Sequence, residues 1–199
     1  MEQLEMLYQG YPVNTNRDQR NKIIIGLLMY QGITTEELSK LEPGHVKLKQ
    51  GKIYIPGSRR SHSRVLDLKP FQVLELHEYV TETRPRILEE ITTPKPARKP
   101  DQINQSRIEN QLFISVNVSE HIKNSLLHLF KAIRRTYPDI QNAEQIRKSV
   151  IVHWLKTHNL RQVQYMDGHK YVSSTERYQT SNLENLQHQL EKLHPLNAF

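Results

Sequence analysis

Three residues in the C-terminal part of the chain have types and a spacing that could support chemistry on an anion. Tyr178 follows His169 by nine residues, across a predicted turn and helix start. Arg147 lies upstream in the first turn of a predicted helix, where a cation opposes the helix dipole, which is a modest hint that an anion offsets it. An imidazole can move protons, and a phenolic oxygen can act as a nucleophile. Taken singly, Tyr178 is more typical of a partly buried aromatic residue beside a helix cap, and His169 of a turn residue bonded to backbone.

A second candidate is a basic run between two predicted strands, Ser58-Arg59-Arg60-Ser61-His62-Ser63-Arg64. On sequence alone this run is equally typical of a solvated hairpin tip and of a phosphate contact. The whole chain carries 28 Lys and Arg against 21 Asp and Glu, a net charge of +7 with a pI near 9.5. That balance favours a polyanion as partner.

The composition excludes several classes of protein. The 199 residues are enough to bury a sizeable core, and the absence of Cys excludes disulfides, thiolate metal sites and a Cys nucleophile. The ten His show no zinc-binding spacing, so we predict no metal. The longest apolar run, Ile23–Met29, is too short to span a bilayer, and the N-terminus lacks the basic segment of a signal peptide. We therefore expect a cytoplasmic protein without membrane contact.

The elements that would position these residues are mostly helices, predicted from apolar periodicity and capping residues. Helices are predicted over 17–31, 70–80 and 160–166, and a further helix starts at 34–38. Three more are predicted from their ends: one capped by Ser119 and stopped by Pro138, one opened by Asn142, and one capped by Ser173 that carries Tyr178. A last helix carries Leu183, Leu186, Leu190 and Leu193. Alternating residues at 46–49, 52–55 and 64–68 predict a small antiparallel meander that must pack on the helices. Residues 84–107 hold four prolines and six Lys or Arg, which favours a long basic loop over an interdomain linker.

Taken in order, these motifs resemble the catalytic domain of the tyrosine recombinases, the phage-integrase family. The family signature is Gly-His with a Tyr nine residues after the His, as in Gly168-His169 with Tyr178, and an earlier helix that begins His-x-x-Arg, matched at Arg147. The segment 31–38 resembles the family's Thr-Gly-Leu-Arg-x-x-Glu-Leu box, and the meander lies where the family has its sheet. The resemblance covers nearly the whole chain and implies a mainly α fold with a small three-stranded antiparallel β-sheet.

The resemblance also implies a function, which is site-specific recombination or integration of double-stranded DNA. Tyr178 matches the nucleophile, whose 3′-phosphotyrosyl intermediate conserves bond energy without any cofactor. Arg147 matches the second of two arginines that clamp the phosphate oxygens, and His169 matches the second His. Further DNA contacts are expected from basic residues: Arg59, Arg60, Arg64, Lys52 and Lys170.

Three positions depart from the family pattern. Thr34 stands where the first Arg belongs, and Glu144 stands where the first His belongs. The Lys of the sheet turn falls at Ser58 or Arg59, so Arg59 or Arg60 would have to substitute for it. An arginine can clamp phosphate but donates protons poorly, because its pKa stays above ~12. The catalytic set is therefore incomplete, and a weakened or inactive DNA-binding or regulatory homologue is the alternative to an enzyme. A protein-interaction domain without a DNA role is a third, less favoured interpretation.

The resemblance also bears on domain organisation. We expect residues 1–199 to form a single catalytic-type domain without the family's N-terminal clamp domain. Residues 181–199 are expected to pack on their own domain as a C-terminal helix and tail. Since the segment after the Tyr often packs on a neighbouring protomer in the family, self-association through 181–199, or association with a complete recombinase, is the alternative.

Overall fold

The computed structural model describes residues 1–93, 105–115 and 122–180. Within these ranges the chain forms ten α-helices, a π-helical segment Tyr79–Thr83 between α4 and α5, two 3-10 turns and one small sheet. The helices are α1 Glu2–Gly10, α2 Asn16–Tyr30, α3 Thr35–Ser39, α4 Pro70–Glu78, α5 Arg84–Thr92, α6 Gln105–Asn110, α7 Lys123–Thr136, α8 Ala143–Trp154, α9 Leu160–Asp167 and α10 172–180. The strands are β1 Val46–Lys47, β2 Lys52–Ile55 and β3 Arg64–Asp67. The sequence-based expectation of a mainly α fold with a three-stranded sheet is confirmed.

Helix α2 is the centre of the core. Residues 23–29 are all buried, so the helix is covered on every side rather than along the single stripe that its periodicity predicts. It packs against α1, α4, α5 and α8. Among the described residues, no helix is long and apolar enough to cross a bilayer.

The sheet is an antiparallel meander in the order β1-β2-β3. Val46 pairs with Ile53, and Ile55 pairs with Arg64. The alternate residues Ile53, Ile55 and Leu66 face the core, as period-two alternation requires. The predicted meander is therefore confirmed, although its first strand ends at Lys47 and Leu48–Gln50 form a 3-10 turn.

The β2–β3 tip, residues 56–63, reaches the loop that follows α9. Ser61 forms an isolated bridge with His169, and the His62 N–H donates to the Gly168 carbonyl at 2.8 Å. Gly168 ends α9 with φ 77°, a left-handed conformation that glycine adopts without strain. The hairpin tip and the Gly-His turn thus form one connected unit.

The prediction of a long basic loop over 84–107 is wrong for two segments, 84–92 and 105–110, which form α5 and α6. A π-helical segment, Tyr79–Thr83, links α4 to α5, so residues 70–92 are helical throughout and Pro85, which has no N–H to donate, lies just after that segment. Ile87 and Ile91 of that helix are buried, and the Arg84 side chain donates to the carbonyls of Glu109 and Gln111. Residues 94–104, with the remaining prolines, lie outside the described residues.

The helices around the predicted site follow their capping residues with two differences. Asn142 caps α8 by accepting from the Gln145 N–H at 2.9 Å, but the Gln145 side chain donates to the Asp139 carbonyl instead of completing a capping box. Helix α10 already begins at residue 172, so Ser173 lies inside it rather than at its cap. The predicted cap at Ser119 and the predicted helix over 183–193 fall outside the described residues.

Candidate active site

One cavity of about 420 Å³ gathers five of the residues that the sequence singled out, and Tyr178 lies beside it rather than in its lining. Its wall is built from the start of α3, the β2–β3 tip, the first turns of α8 and the Gly-His turn. The lining residues are Thr34, Thr35, Glu36, Ser58, Arg60, Ser61, Ala143, Glu144, Arg147 and His169. The fold thus brings together four separate stretches of the sequence around one concave surface.

Arg147 lies at the base of this cavity and is 8% exposed. Its Nη1 group donates to the Gly32 carbonyl, and its Nη2 group donates to the Asp167 carbonyl at 2.8 Å. The Nη2 atom also forms an ion pair with the Asp167 Oδ1 atom. A second carboxylate oxygen, Glu37 Oε2, lies 3.8 Å from Nη1. The guanidinium is therefore surrounded by acceptors of the protein itself.

Glu37 and Arg64 form a buried ion pair behind Arg147. The Arg64 Nη1 and Nη2 groups donate to the two Glu37 oxygens at 2.6 and 3.2 Å, and Arg64 Nε donates to the Met166 carbonyl at 2.7 Å. Burial alone would raise the pKa of Glu37, but the hydrogen bonds and charge of Arg64, with help from Thr34 and Arg147, lower it to about 2. Glu37 is thus a permanent anion inside the protein.

This arrangement contradicts the prediction that Arg64 contacts DNA. Arg64 is 2% exposed and its guanidinium is fully used inside the protein. The sequence placed it at the end of a basic run, but it is the first residue of β3 and points inward because its pair partner Ile55 lies on the buried face. Its role is to hold α3, β3 and the end of α9 together.

Thr34 caps α3 through a capping box with Glu37. The Thr34 hydroxyl accepts from the Glu37 N–H at 3.1 Å, and the Thr34 N–H donates to Glu37 Oε2 at 2.9 Å. The side chain at this position therefore offers the cavity a hydroxyl and no charge. On the opposite wall, Glu144 pairs with Lys148 at 3.0 Å, one helical turn later. This hydrogen bond and the negative charge of Glu144 raise the pKa of Lys148. The Lys148 ammonium in turn offsets part of the negative charge of Glu144.

His169 has both of its ring nitrogens engaged within the protein. Its Nε2 atom lies 2.7 Å from Asp167 Oδ2, and its Nδ1 atom lies 2.9 Å from the Thr175 hydroxyl. Tyr178 stacks on the imidazole, with ring centroids 6.0 Å apart and planes inclined by 15°. The predicted nucleophile, the predicted His and the predicted Arg are therefore neighbours, joined through Asp167.

The phenol of Tyr178 is half-buried. Burial raises its pKa, the negative charge of Asp167 raises it further, and the charges of Arg147 and Lys148 partly oppose this. At neutral pH the Tyr178 oxygen therefore carries its proton.

Two acidic residues at the heart of the site, Glu37 and Asp167, were not singled out from the sequence. Glu37 belongs to the box at 31–38, and its position there was the available signal. Asp167 precedes Gly168 and gives no sign in the sequence that its side chain points inward. Both are completely buried in the structure.

The remaining basic candidates differ in where they lie. Arg60 lines the cavity, and Arg59 is exposed beside it at the hairpin tip. Lys170 is exposed next to His169. Lys52 starts β2 at the other end of the hairpin, 4.0 Å from the carboxylate of Asp67, and is not among the residues lining the cavity.

A second concavity of about 400 Å³ adjoins the first, and the two share Thr35 and Ala143. It runs along α7, whose exposed positions include Lys123, Leu127 and Arg134. Within the described ranges, no group of three or more acidic or His side chains is placed to hold a metal ion.

The chain belongs to the phage integrase family, which it matches over residues 1–185. It is similar to the tyrosine recombinase XerC of Oceanobacillus iheyensis, with 23% identity over 198 residues, 98% of this chain and 60% of that protein. The chain therefore spans about three-fifths of the length of this relative.

Solved structures show the same fold. The recombinase XerH, in a post-cleavage complex with a palindromic difH substrate, superposes with a TM-score of 0.67 at 20% identity, over 94% of this chain and 50% of that one. The Tn1549 transposon integrase, in complex with transposon right-end DNA, superposes with a TM-score of 0.56 at 15% identity, over 92% of this chain and 64% of that one. These similarities confirm the fold that the sequence motifs predicted.

Proposed function

We propose that this chain carries the DNA cleavage and rejoining centre of a site-specific tyrosine recombinase, with Tyr178 as the nucleophile. The observation that carries the proposal is the stacking of Tyr178 on His169, beside a cavity that His169 shares with Arg147. These residues come from α10, the Gly-His turn and α8. Their convergence is what the family signature requires of a nucleophile and two phosphate-facing groups.

The proposed reaction exchanges one phosphodiester for another. The Tyr178 oxygen bonds to the phosphorus, and the bond from phosphorus to the 5′-oxygen breaks. The phenolic proton leaves Tyr178 and a proton reaches the 5′-oxygen, so that the step consumes no external energy. Because the raised pKa of Tyr178 keeps the phenol protonated, a base must accept that proton during attack. His169 can take it only after a ring nitrogen is released from Asp167 or Thr175.

The positive charge that meets the phosphate is supplied by few residues. Arg60 lines the cavity from the hairpin tip, and we assign it the phosphate contact that Thr34 cannot make. Arg147 is the second candidate, once DNA replaces one of its internal acceptors. An arginine is a poor proton donor, so the delivery of a proton to the 5′-oxygen is the weakest step of this site.

The adjoining concavity gives the DNA a path beyond the scissile phosphate. Lys123 and Arg134 of α7 flank it, and Asn142 lies at its junction with α8. We propose that the DNA backbone follows this surface, with phosphates meeting Arg134, Lys123 and the hairpin tip. The complexes of XerH and of the Tn1549 integrase with DNA support double-stranded DNA as the partner.

The test is a suicide duplex with a nick beside the cleavage position, which traps a covalent protein–DNA product. We expect a covalent band that persists with chelator and is lost in Tyr178→Phe. Tyr171→Phe is the matched control, because Tyr171 is 73% exposed and near the same turn. A band that survives in Tyr178→Phe, or that is equally lost in Tyr171→Phe, would contradict the assignment of the nucleophile.

A second function, DNA binding without cleavage, is favoured by one observation. The Arg147 guanidinium already contacts Gly32, Asp167 and Glu37, and Thr34 contributes no charge. A protein that only binds or regulates would retard the duplex in a gel without forming a covalent band at any incubation time. The same suicide duplex therefore distinguishes the two functions.

Two further proposals rest on the sequence. We propose self-association through residues 181–199, where Leu183, Leu186, Leu190 and Leu193 form an apolar stripe directly after α10. Light scattering of the full chain and of a chain ending at residue 180 tests it. The same number of chains per particle in both proteins would contradict it. We also propose a cytoplasmic location, because the substrate proposed is DNA.

A further inference from the structure

Asp167 is a fully buried carboxylate between the two groups that face the proposed phosphate site. Its Oδ1 atom contacts Arg147 Nη2, and its Oδ2 atom lies 2.7 Å from His169 Nε2. Neither oxygen has a well-aligned hydrogen bond within the described ranges, so close charge contacts alone hold them. A buried carboxylate in this condition is poorly satisfied.

The groups that Asp167 contacts are the ones a phosphate would use. Arginine N–H groups and an imidazole N–H bind a phosphate oxygen in the same way as they bind a carboxylate oxygen. In the structure, the Asp167 carboxylate is in ion-pair contact with Arg147 Nη2, and the Asp167 carbonyl accepts a hydrogen bond from the same nitrogen. Little of the Arg147 guanidinium therefore faces the cavity.

Formal charge leads to the same conclusion. Arg64 and Arg147 are paired with Glu37 and Asp167 in one connected cluster, and two cations against two anions leave no net charge. Thr34 adds none, and Glu144 is offset by Lys148. The cluster by itself therefore has no surplus positive charge with which to attract the DNA phosphate.

We propose that Asp167 is an internal counter-anion that competes with the DNA phosphate for Arg147 and His169. The inference rests on the proposed function, since it deepens the account of the same site. Binding of phosphate has to displace the Asp167 side chain from at least one of its two partners. Displacement from both partners ends the carboxylate contacts with Arg147 Nη2 and His169 Nε2, while Arg147 Nη2 keeps its hydrogen bond to the Asp167 carbonyl.

The decisive variant is Asp167→Asn, which keeps the shape and removes the charge. An amide can still accept from Arg147, and it can donate to His169 Nε2 if the imidazole carries its proton on Nδ1 toward Thr175. The matched control is Asp67→Asn, which changes the net charge equally at an exposed position of β3. Differences between the two variants therefore report the site and not the overall charge.

The first measurement does not depend on cleavage. Inorganic phosphate is titrated at constant ionic strength, and the His169 ring nitrogens are followed by 15N NMR in the full chain. We expect Asp167→Asn to bind phosphate at least about tenfold more tightly than the wild type, the equivalent of one charge-assisted hydrogen bond. Asp67→Asn should bind as the wild type does.

The second measurement is the rate of the covalent band with saturating suicide duplex, which should also rise in Asp167→Asn. Folded Asp167→Asn that binds phosphate no better than the wild type would overturn the inference. Tighter phosphate binding without any covalent band would support the role of Asp167 and contradict cleavage by Tyr178. The two proposals can therefore fail separately.

A measurement on the wild type covers the case in which the variant does not fold. The His169 Nε2 signal should shift when duplex DNA binds, because its contact with Asp167 is replaced. A signal that stays unchanged in the DNA complex would show that Asp167 keeps its partners, and it would overturn the inference.

Discussion

Arg64 and Glu37 form a buried ion pair that joins β3 to α3, with Arg64 Nη1 2.6 Å from Glu37 Oε1. Glu37 also reaches toward Arg147 and closes the capping box of Thr34. One carboxylate therefore fixes the sheet, the start of α3 and the base of the cavity relative to one another. The geometry of the proposed site depends on this pair, although neither residue faces the cavity.

The first prediction is that Arg64→Met destabilises the protein. Removing one member of a buried pair leaves the other charge uncompensated, which costs about 3–5 kcal/mol. Urea denaturation followed by circular dichroism measures the loss. Arg86→Met is the matched control, because Arg86 of α5 forms an exposed ion pair with Glu82, which precedes that helix, and it should change stability by less than about 1 kcal/mol. Unchanged stability with weakened DNA affinity would instead restore Arg64 to the DNA surface.

The second prediction concerns stability against pH. The pKa of Glu37 is about 2 in the folded protein and near 4.5 in the unfolded chain, so ionised Glu37 stabilises the fold. A depressed folded pKa gives stability that is complete above pH 4.5 and lost as pH falls toward 2, about 3 kcal/mol in all. Glu37→Gln should flatten this part of the stability profile. Glu36→Gln, a change at its exposed neighbour, should leave the profile as it is. Equal acid sensitivity in all three proteins would contradict the prediction.

The third prediction is a gain of function at Thr34. Thr34→Arg places a guanidinium at the cavity wall, and we expect covalent-complex formation to rise on the order of tenfold to hundredfold. The rate should change more than the DNA affinity, because the clamp acts on charge that develops in the transition state. Adding Glu144→His should raise the rate further by removing a carboxylate.

Thr34→Arg also breaks the cap of α3, at a cost of about 1 kcal/mol. Thr34→Gln is therefore the control, because it loses the same cap and adds a long side chain without charge. If Thr34→Gln is as active as Thr34→Arg, the gain does not come from charge. A double variant that binds DNA and never cleaves would favour the binding-only function.

The fourth prediction is that duplex binding weakens steeply with salt. The logarithm of the affinity should fall against the logarithm of the salt concentration with a slope of about −0.9 for each phosphate neutralised. Arg59→Glu with Arg60→Glu removes the hairpin-tip contacts and should make the slope shallower. Arg86→Glu on α5 serves as the control and should leave the slope unchanged. Affinity that is independent of salt would argue against the DNA function itself.

Much of the fold could be predicted because its signals are local. Alternation at 52–55 and 64–67 defined the hairpin. Asn142 marked the start of α8 because its side chain accepts from a free backbone N–H, and Gly168 marked the end of α9 because glycine adopts a left-handed conformation. The prediction failed at α5 because Pro85 was counted with the later prolines of a basic segment. The structure places Pro85 directly after the π-helical segment Tyr79–Thr83 in a helix that continues from 70 to 92, and only the burial of Ile87 and Ile91 shows that the segment packs.

The site was harder to predict, since its essential contacts join distant parts of the chain. Arg64 belongs to a basic run and was assigned to the surface, yet its partner Glu37 lies on another element. Asp167 gives no local sign of burial, because its partners Arg147 and His169 are fixed only by the packing of α8 and α9. A sequence pattern records which residues are present. It does not record which charges the fold turns inward.

The β-bridge between Ser61 and His169 connects the backbone of the hairpin tip directly to the backbone of the Gly-His turn. Arg60, the proposed phosphate contact, lies two residues before His62, whose N–H donates to the carbonyl of Gly168. Gly168 is the residue immediately before His169. The imidazole on which Tyr178 stacks belongs to the next residue, so the tip lies two contacts from the proposed nucleophile. Under the proposed function, the contact of the tip with the DNA backbone and the alignment of the attacking oxygen would therefore depend on the same two backbone contacts.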